Sequence, residues 1–192
     1  MPRSFEITTQ STVPLLTTAE AKSHLRVDTT ADDTLIDNLV KAARESAEVY
    51  TNRFFIDTTL TLKGDKWSDI EYLFKSPVRS ISSIKYYDSD NALQTLATSV
   101  YLLDNSHQPS RVTLDEGESF PNLASRANAI EVVYGVGYGN AASDVPEAIR
   151  QAVLLTVGHF YQNREDVVVG RIASQLPMAA KYLLDQYKVQ TV

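Results

Sequence analysis

The sequence predicts an α+β protein: a helical core into which an antiparallel β unit, a sheet or small barrel, is inserted. Three observations carry this. The stretch SDVPEAIRQAVLLTVGHFYQNRE places Ile149, Val153, Val157 and Phe160 on one helical face, widened by Leu154 and Tyr161. The stretch LIDNLVKAARESAEVYTNR does the same with Leu35, Ile36, Leu39, Val40, Ala43, Ala47 and Tyr50. Between them, from about Thr58 to Gly139, the apolar period shortens to that of strands, with turn residues separating short runs. The chain therefore divides into 1–57, an N-terminal arm and helix pair; 58–139, the β unit; and 140–192, the core helix and a C-terminal segment. The first and third parts together form one helical domain.

Residues before Pro14 are polar and Thr/Ser-rich and read as an extended arm. In LTTAEAKSHLRV, Thr17 and Glu20 make a capping box, and Leu16, Ala21 and Leu25 give the short helix its apolar side. After the polar loop DTTADD, Thr30 or Asp32 is expected to cap the long helix. Its opposite face, with Lys41, Arg44, Glu45 and Glu48, is expected to be wet. TTLTLKG alternates, with Leu60 and Leu62 on one side. IEYLF, SISSIKYYD, VYLLD, RVTLD and AIEVVYGVGYG are further strand candidates, and DSDN is a turn. Asp144 and Glu147 have capping-box spacing, and Pro146 sits in the first helical turn, where a missing N–H costs nothing. The end, PMAAKYLLDQYKV, reads as a short helix with Ala180, Leu183, Leu184 and Tyr187 on one side.

Composition narrows the function classes. The chain has 192 residues, is 43% hydrophobic and 22% charged, and so can bury a sizeable core. It shows no apolar run of membrane-spanning length and no signal-peptide pattern. With no Cys, disulfides and thiolate metal sites are excluded. The net charge of −6 argues against a duplex-gripping surface.

Candidate chemistry is sparse. His24, His107 and His159 lie in separate segments without metal-ligand spacing. Asp28, Asp32 and Asp33 cluster in a loop that lacks the tight Gly turn of a cation site, and read as capping and solvated charge. In GVGYGN the third Gly comes one position too early for a dinucleotide loop, so a flexible strand-to-helix hinge is expected. Asp115 and Glu118 read as solvated loop carboxylates. We expect no catalytic residue, no metal and no cofactor. A nucleic-acid groove would have to come from Arg79, Lys85, Tyr86 and Tyr87, which also fit one strand pair.

The run VVVGRIASQL is apolar without a helical stripe. Val167, Val168, Val169, Arg171, Ile172, Leu176 and Met178 are the partner-contact candidates. Two readings fit this segment, a cover over the core or a contact to another subunit.

Several segments together resemble the head–tail connector (adaptor, or DNA-packaging) family of tailed bacteriophages. They are LTTAEAKSHLRVDTTADDTLIDNLVKAARESAEVYTNR, SPVRSISSIKYYD, AIEVVYGVGYG followed by DVPEAIRQAVLLTVGHFYQNRE, and LPMAAKYLLDQY. The likeness spans nearly the whole chain and is greatest to the larger members, which carry a β insertion. One departure is Phe120, where a Trp is expected before Pro121. The resemblance implies a non-enzymatic ring, twelve-fold, in the virion neck under the portal protein. The ring would join the capsid to a stopper or tail-completion protein, with DNA passing through its channel and the C-terminal segment docking on the portal. The competing classes are another neck or tail-completion protein, a soluble small-molecule enzyme, and a nucleic-acid-binding module.

Overall fold

The computed structural model describes residues 5–163 and 177–189. The fold is α+β, with four helices and two antiparallel sheets among these residues. The chain falls into two compact units. A helical unit holds Thr12–Ile56 and Gly139–Lys188, and a β unit takes the residues before Thr12, Asp57–Tyr138 and Val189. No helix among the described residues is long and apolar enough to cross a membrane.

In the helical unit, α1 (Thr18–Leu25), α2 (Asp33–Thr51), α3 (Glu147–Gln162) and α4 (Met178–Asp185) pack on one another. The apolar stripes bury as their spacing dictates: Ile36, Val40, Ala43 and Ala47 from α2, and Ile149, Ala152, Val153 and Val157 from α3. Phe160 and Tyr161, at the far end of the stripe, are only half-buried. Each fully buried aliphatic side chain contributes about 1.5–3 kcal/mol. Leu15 and Leu16, just before α1, are buried with them.

Polar ties fix the helices. The Thr17–Glu20 capping box forms: Thr17 Oγ1 accepts from the Glu20 N–H at 3.2 Å, and Glu20 Oε2 accepts from the Thr17 N–H at 2.7 Å. Arg150 on α3 bonds both Glu20 and Glu147. Lys22 pairs with Asp33 at 2.6 Å, joining α1 to α2. The Tyr161 hydroxyl donates to Asp32 at 2.6 Å.

The caps of the two long helices differ from expectation. Asp32 stands at the α2 N-cap position but makes no side-chain cap bond. Pro146 is the N-cap of α3, and the Asp144 carboxylate turns back instead to accept from the Ala141 N–H at 2.9 Å. Pro146 supplies extended backbone at the cap without an N–H of its own to satisfy. The wet face of α2 is also corrected. Glu48 is buried, and its Oε1 accepts from Arg44 Nε and from the Phe55 N–H, each at 2.9 Å.

The β unit holds a five-stranded sheet and a three-stranded one. The larger runs β1 (Phe5–Gln10), β2 (Thr58–Gly64), β8 (Ile130–Val136), β4 (Val78–Tyr87) and β5 (Leu93–Thr95) in spatial order. It is open, so the barrel alternative is not seen. The smaller sheet orders β3 (Tyr72–Leu73), β7 (Ser110–Leu114) and β6 (Tyr101–Asp104). Strand alternation decides what is buried. Leu60, Leu62, Val132, Tyr134 and Ile84 face the core, while Lys63, Glu131 and Lys85 lie on the other face. The arm before Pro14 forms β1, the edge strand on β2. The long loop before β8 is pinned by Trp67, which stacks on Phe120 at 4.4 Å and donates from Nε1 to the Pro121 carbonyl at 2.9 Å.

Candidate partner interface

The segment after Pro177 is held by its own chemistry. Proline starts α4 with a fixed φ of −55° and no N–H to satisfy. Ala180 and Leu184 are fully buried against the helical unit. At the far end, the Tyr50 hydroxyl donates to Asp185, and Arg53 Nε donates to the Tyr187 carbonyl. Lys188 Nζ lies 4.7 Å over the Tyr50 ring. The bond to Asp185 stabilises the protonated phenol and pushes the Tyr50 pKa up.

With one face of α4 used in this way, the other is exposed and carries two large apolar side chains beside Lys181 and Asp185. Met178 and Tyr182 are four residues apart, so they share a face, and are 85% and 80% exposed. Val49, next to the anchoring Tyr50 on α2, is 80% exposed. Scattered exposed apolar residues are ordinary, and the Met–Tyr pair at helical spacing makes a local apolar patch on an anchored helix. Of the sequence-derived candidates, only Met178 falls here. Val167, Val168, Val169, Arg171, Ile172 and Leu176 lie outside the described residues. The exposure of Tyr182 and Val49 is not legible in the sequence, because helical spacing shows which residues share a face, not whether that face is covered.

The other candidates disperse. Among the described residues no three His, Asp or Glu side chains converge as a metal site. Asp32 and Asp33 are engaged by Tyr161 and Lys22. His107 Nδ1 lies 2.7 Å from the Ser106 hydroxyl, which itself donates to Asp104. Asp104 ends β6 and the other two lie on the exposed loop after it, and the carboxylate touches the serine rather than orienting the imidazole, so the arrangement lacks the logic of a nucleophilic triad. The Asp104 carboxyl is held well below its usual range by the Ser106 hydroxyl and Arg111.

The glycines of GVGYGN serve the backbone. Gly137 has φ +118°, and its N–H donates to the Pro77 carbonyl at 2.9 Å. Gly139 leaves no room for a Cβ, which would meet Asp144 Oδ2 at 2.0 Å. The four nucleic-acid candidates separate as well. Arg79 pairs with Asp57 at 3.2 Å, and Tyr86 faces Trp67 at 5.6 Å between ring centroids. Lys85 and Tyr87 share the outer sheet face with Lys63 and Arg126.

Residues 16–115 match the sequence model of the phage gp6-like head-tail connector protein family. Three solved chains share the fold. One is from the virion of a native gene transfer agent particle, with a TM-score of 0.81 at 22% identity, covering 98% of this chain and 96% of that one. Another is from the neck of an empty particle of this kind computed with C6 symmetry, at 0.78 and 21%, covering 98% and 97%. The third is from the neck of a native particle computed with C12 symmetry, at 0.76 and 21%, with the same coverage. No curated protein matches the chain.

Proposed function

The chain belongs to the phage gp6-like head-tail connector family, and on that premise we propose that it is a non-enzymatic structural protein of a virion neck. In this reading it forms a ring, twelve copies in the manner of the neck computed with C12 symmetry. The ring sits beneath a portal protein, joins the capsid to a stopper or tail-completion protein, and surrounds the DNA channel. The family match carries the reading. The composition agrees with it, since a net charge of −6 gives the chain as a whole no attraction for passing phosphates.

The docking surface we propose is the outer face of α4, with Met178 and Tyr182, together with Val49. The segment holding Val167, Val168, Val169, Arg171, Ile172 and Leu176 continues it in sequence. Removing everything after Glu165 is a poor test, because it also strips the buried Ala180 and Leu184 from the helical unit. The clean variant is Met178→Asp with Tyr182→Asp, which changes exposed side chains only. The expected outcome is a wild-type melting temperature with attachment to portal-bearing heads reduced at least about tenfold. Attachment equal to wild type removes this face from the docking surface.

A further inference from the structure

The outer face of the five-stranded sheet carries a local excess of positive charge that the docking surface does not use. Lys63, Glu131 and Lys85 lie side by side across β2, β8 and β4. Tyr87, two residues beyond Lys85 on the same face, has the Arg126 guanidinium 3.8 Å over its ring. Together with Leu93, these side chains border an open cavity of about 270 Å³.

Three cations thus face two carboxylates, Glu131 and Glu6. Lys63 reaches Glu6 only at 3.9 Å, and Arg126 Nη1 donates to the neutral Asn91 Oδ1 at 3.2 Å. Lys85 makes no ion pair with any described residue, although Glu131 stands opposite it in register. The cluster calls for an anion. A duplex offers a long line of phosphates and would be repelled by the rest of a chain of net charge −6. A single pocket rimmed by cations suits a short acidic turn better.

The chain has such a turn just after β7. Gly117, with φ +82°, bends it, and the Glu118 N–H donates to the Asp115 carbonyl at 3.2 Å. Asp115 spends one carboxylate oxygen on the Glu116 N–H at 2.8 Å. The Glu116 and Glu118 side chains are exposed and pair with no described residue. We propose that the pocket formed by Lys63, Lys85 and Arg126 in one copy receives the Glu116–Glu118 turn of the neighbouring copy. Different patches then meet on the two copies, which is the head-to-tail contact a closed ring requires. This inference rests on the ring reading and names a contact within it.

The test uses the full chain assembled on portal-bearing heads. One variant carries Lys85→Glu with Arg126→Glu, a second Glu116→Lys with Glu118→Lys, and a third combines all four. Each reversal alone should lower the number of copies incorporated at least about tenfold, and the combination should restore it. Because the chain contains no Cys, Lys85→Cys with Glu116→Cys gives a direct second readout. Oxidised assemblies should run as a ladder of covalent multimers on a non-reducing gel. Reversed variants that assemble like wild type, a combination that fails to restore, or a disulfide confined to single chains each overturns the contact. So does a reversal that leaves assembly intact and abolishes retention of duplex DNA, which would make nucleic acid the occupant. Wild-type rings alongside unaffected variants sink this contact alone. A wild-type chain that forms no ring on the portal sinks the ring reading as well.

Discussion

Glu48 closes the end of the long helix by accepting from the Arg44 guanidinium and the Phe55 N–H at once. Burial pushes its carboxyl above the ordinary range, against the pull of Arg44. Glu48→Ala leaves a buried guanidinium uncompensated and a buried N–H unpaired, and should cost about 3–5 kcal/mol in chemical denaturation. Glu48→Gln keeps an acceptor for Phe55 and should recover part of that loss. Glu20 behaves in the opposite sense. The Thr17 N–H, the Thr17 hydroxyl and Arg150 hold its carboxyl below the ordinary value of 4.5. Unfolding in mild acid therefore takes up a proton, so the stabilisation is present above pH 4.5 and is lost as pH falls through the folded value. Glu20→Gln should flatten the fall of melting temperature below pH 4.5, and an unchanged acid limb would count against this role. The Thr17–Glu20 box is legible in sequence because its partners are three residues apart. The burial of Glu48 is not, because α2 shows only a polar residue at a position that its neighbours in space enclose.

At the scale of elements, the turn into α3 depends on one close approach. A Cβ at Gly139 would fall 2.6 Å from the Asp144 Cβ and 2.0 Å from its Oδ2. Gly139→Ala must displace the carboxylate from the Ala141 N–H, and should lower stability by about 1–3 kcal/mol in thermal denaturation. A wild-type melting temperature would show that the turn yields freely. The long helices, β2 and β8 could be read from sequence because burial imposes a period on them, whereas β4, interrupted by two register shifts, shows itself only through its β-branched and aromatic residues. β1 and β5 could not, since every residue in both is exposed and their strand state comes from the neighbour they pair with. The Asp144 reading failed through competition between two nearby helix starts. The spacing to Glu147 is right for a cap, but Asp144 lies in a short 3₁₀ turn of its own and caps that instead.

For the whole molecule, family membership was legible because it lies in the order of several weak motifs along one chain. The contact surfaces were less so. Helical spacing points to Met178 and Tyr182 only once α4 is known to be anchored through Ala180 and Leu184. Cations from two strands and a loop meet at the Lys85 pocket, and no sequence window contains them all. The isolated chain should bind duplex DNA weakly and without sequence preference at physiological salt, as its charge of −6 requires. Tight binding in a filter or anisotropy assay would contradict a conduit that lets DNA slide. The central claim is a connector ring on a portal, and it is tested most directly by electron cryo-microscopy of portal-bearing particles carrying this chain. The account predicts twelve copies in one closed ring against the portal, as in the neck computed with C12 symmetry, with the outer face of α4 buried. Particles in which the chain is absent from the neck, or present there without forming a ring, would contradict it.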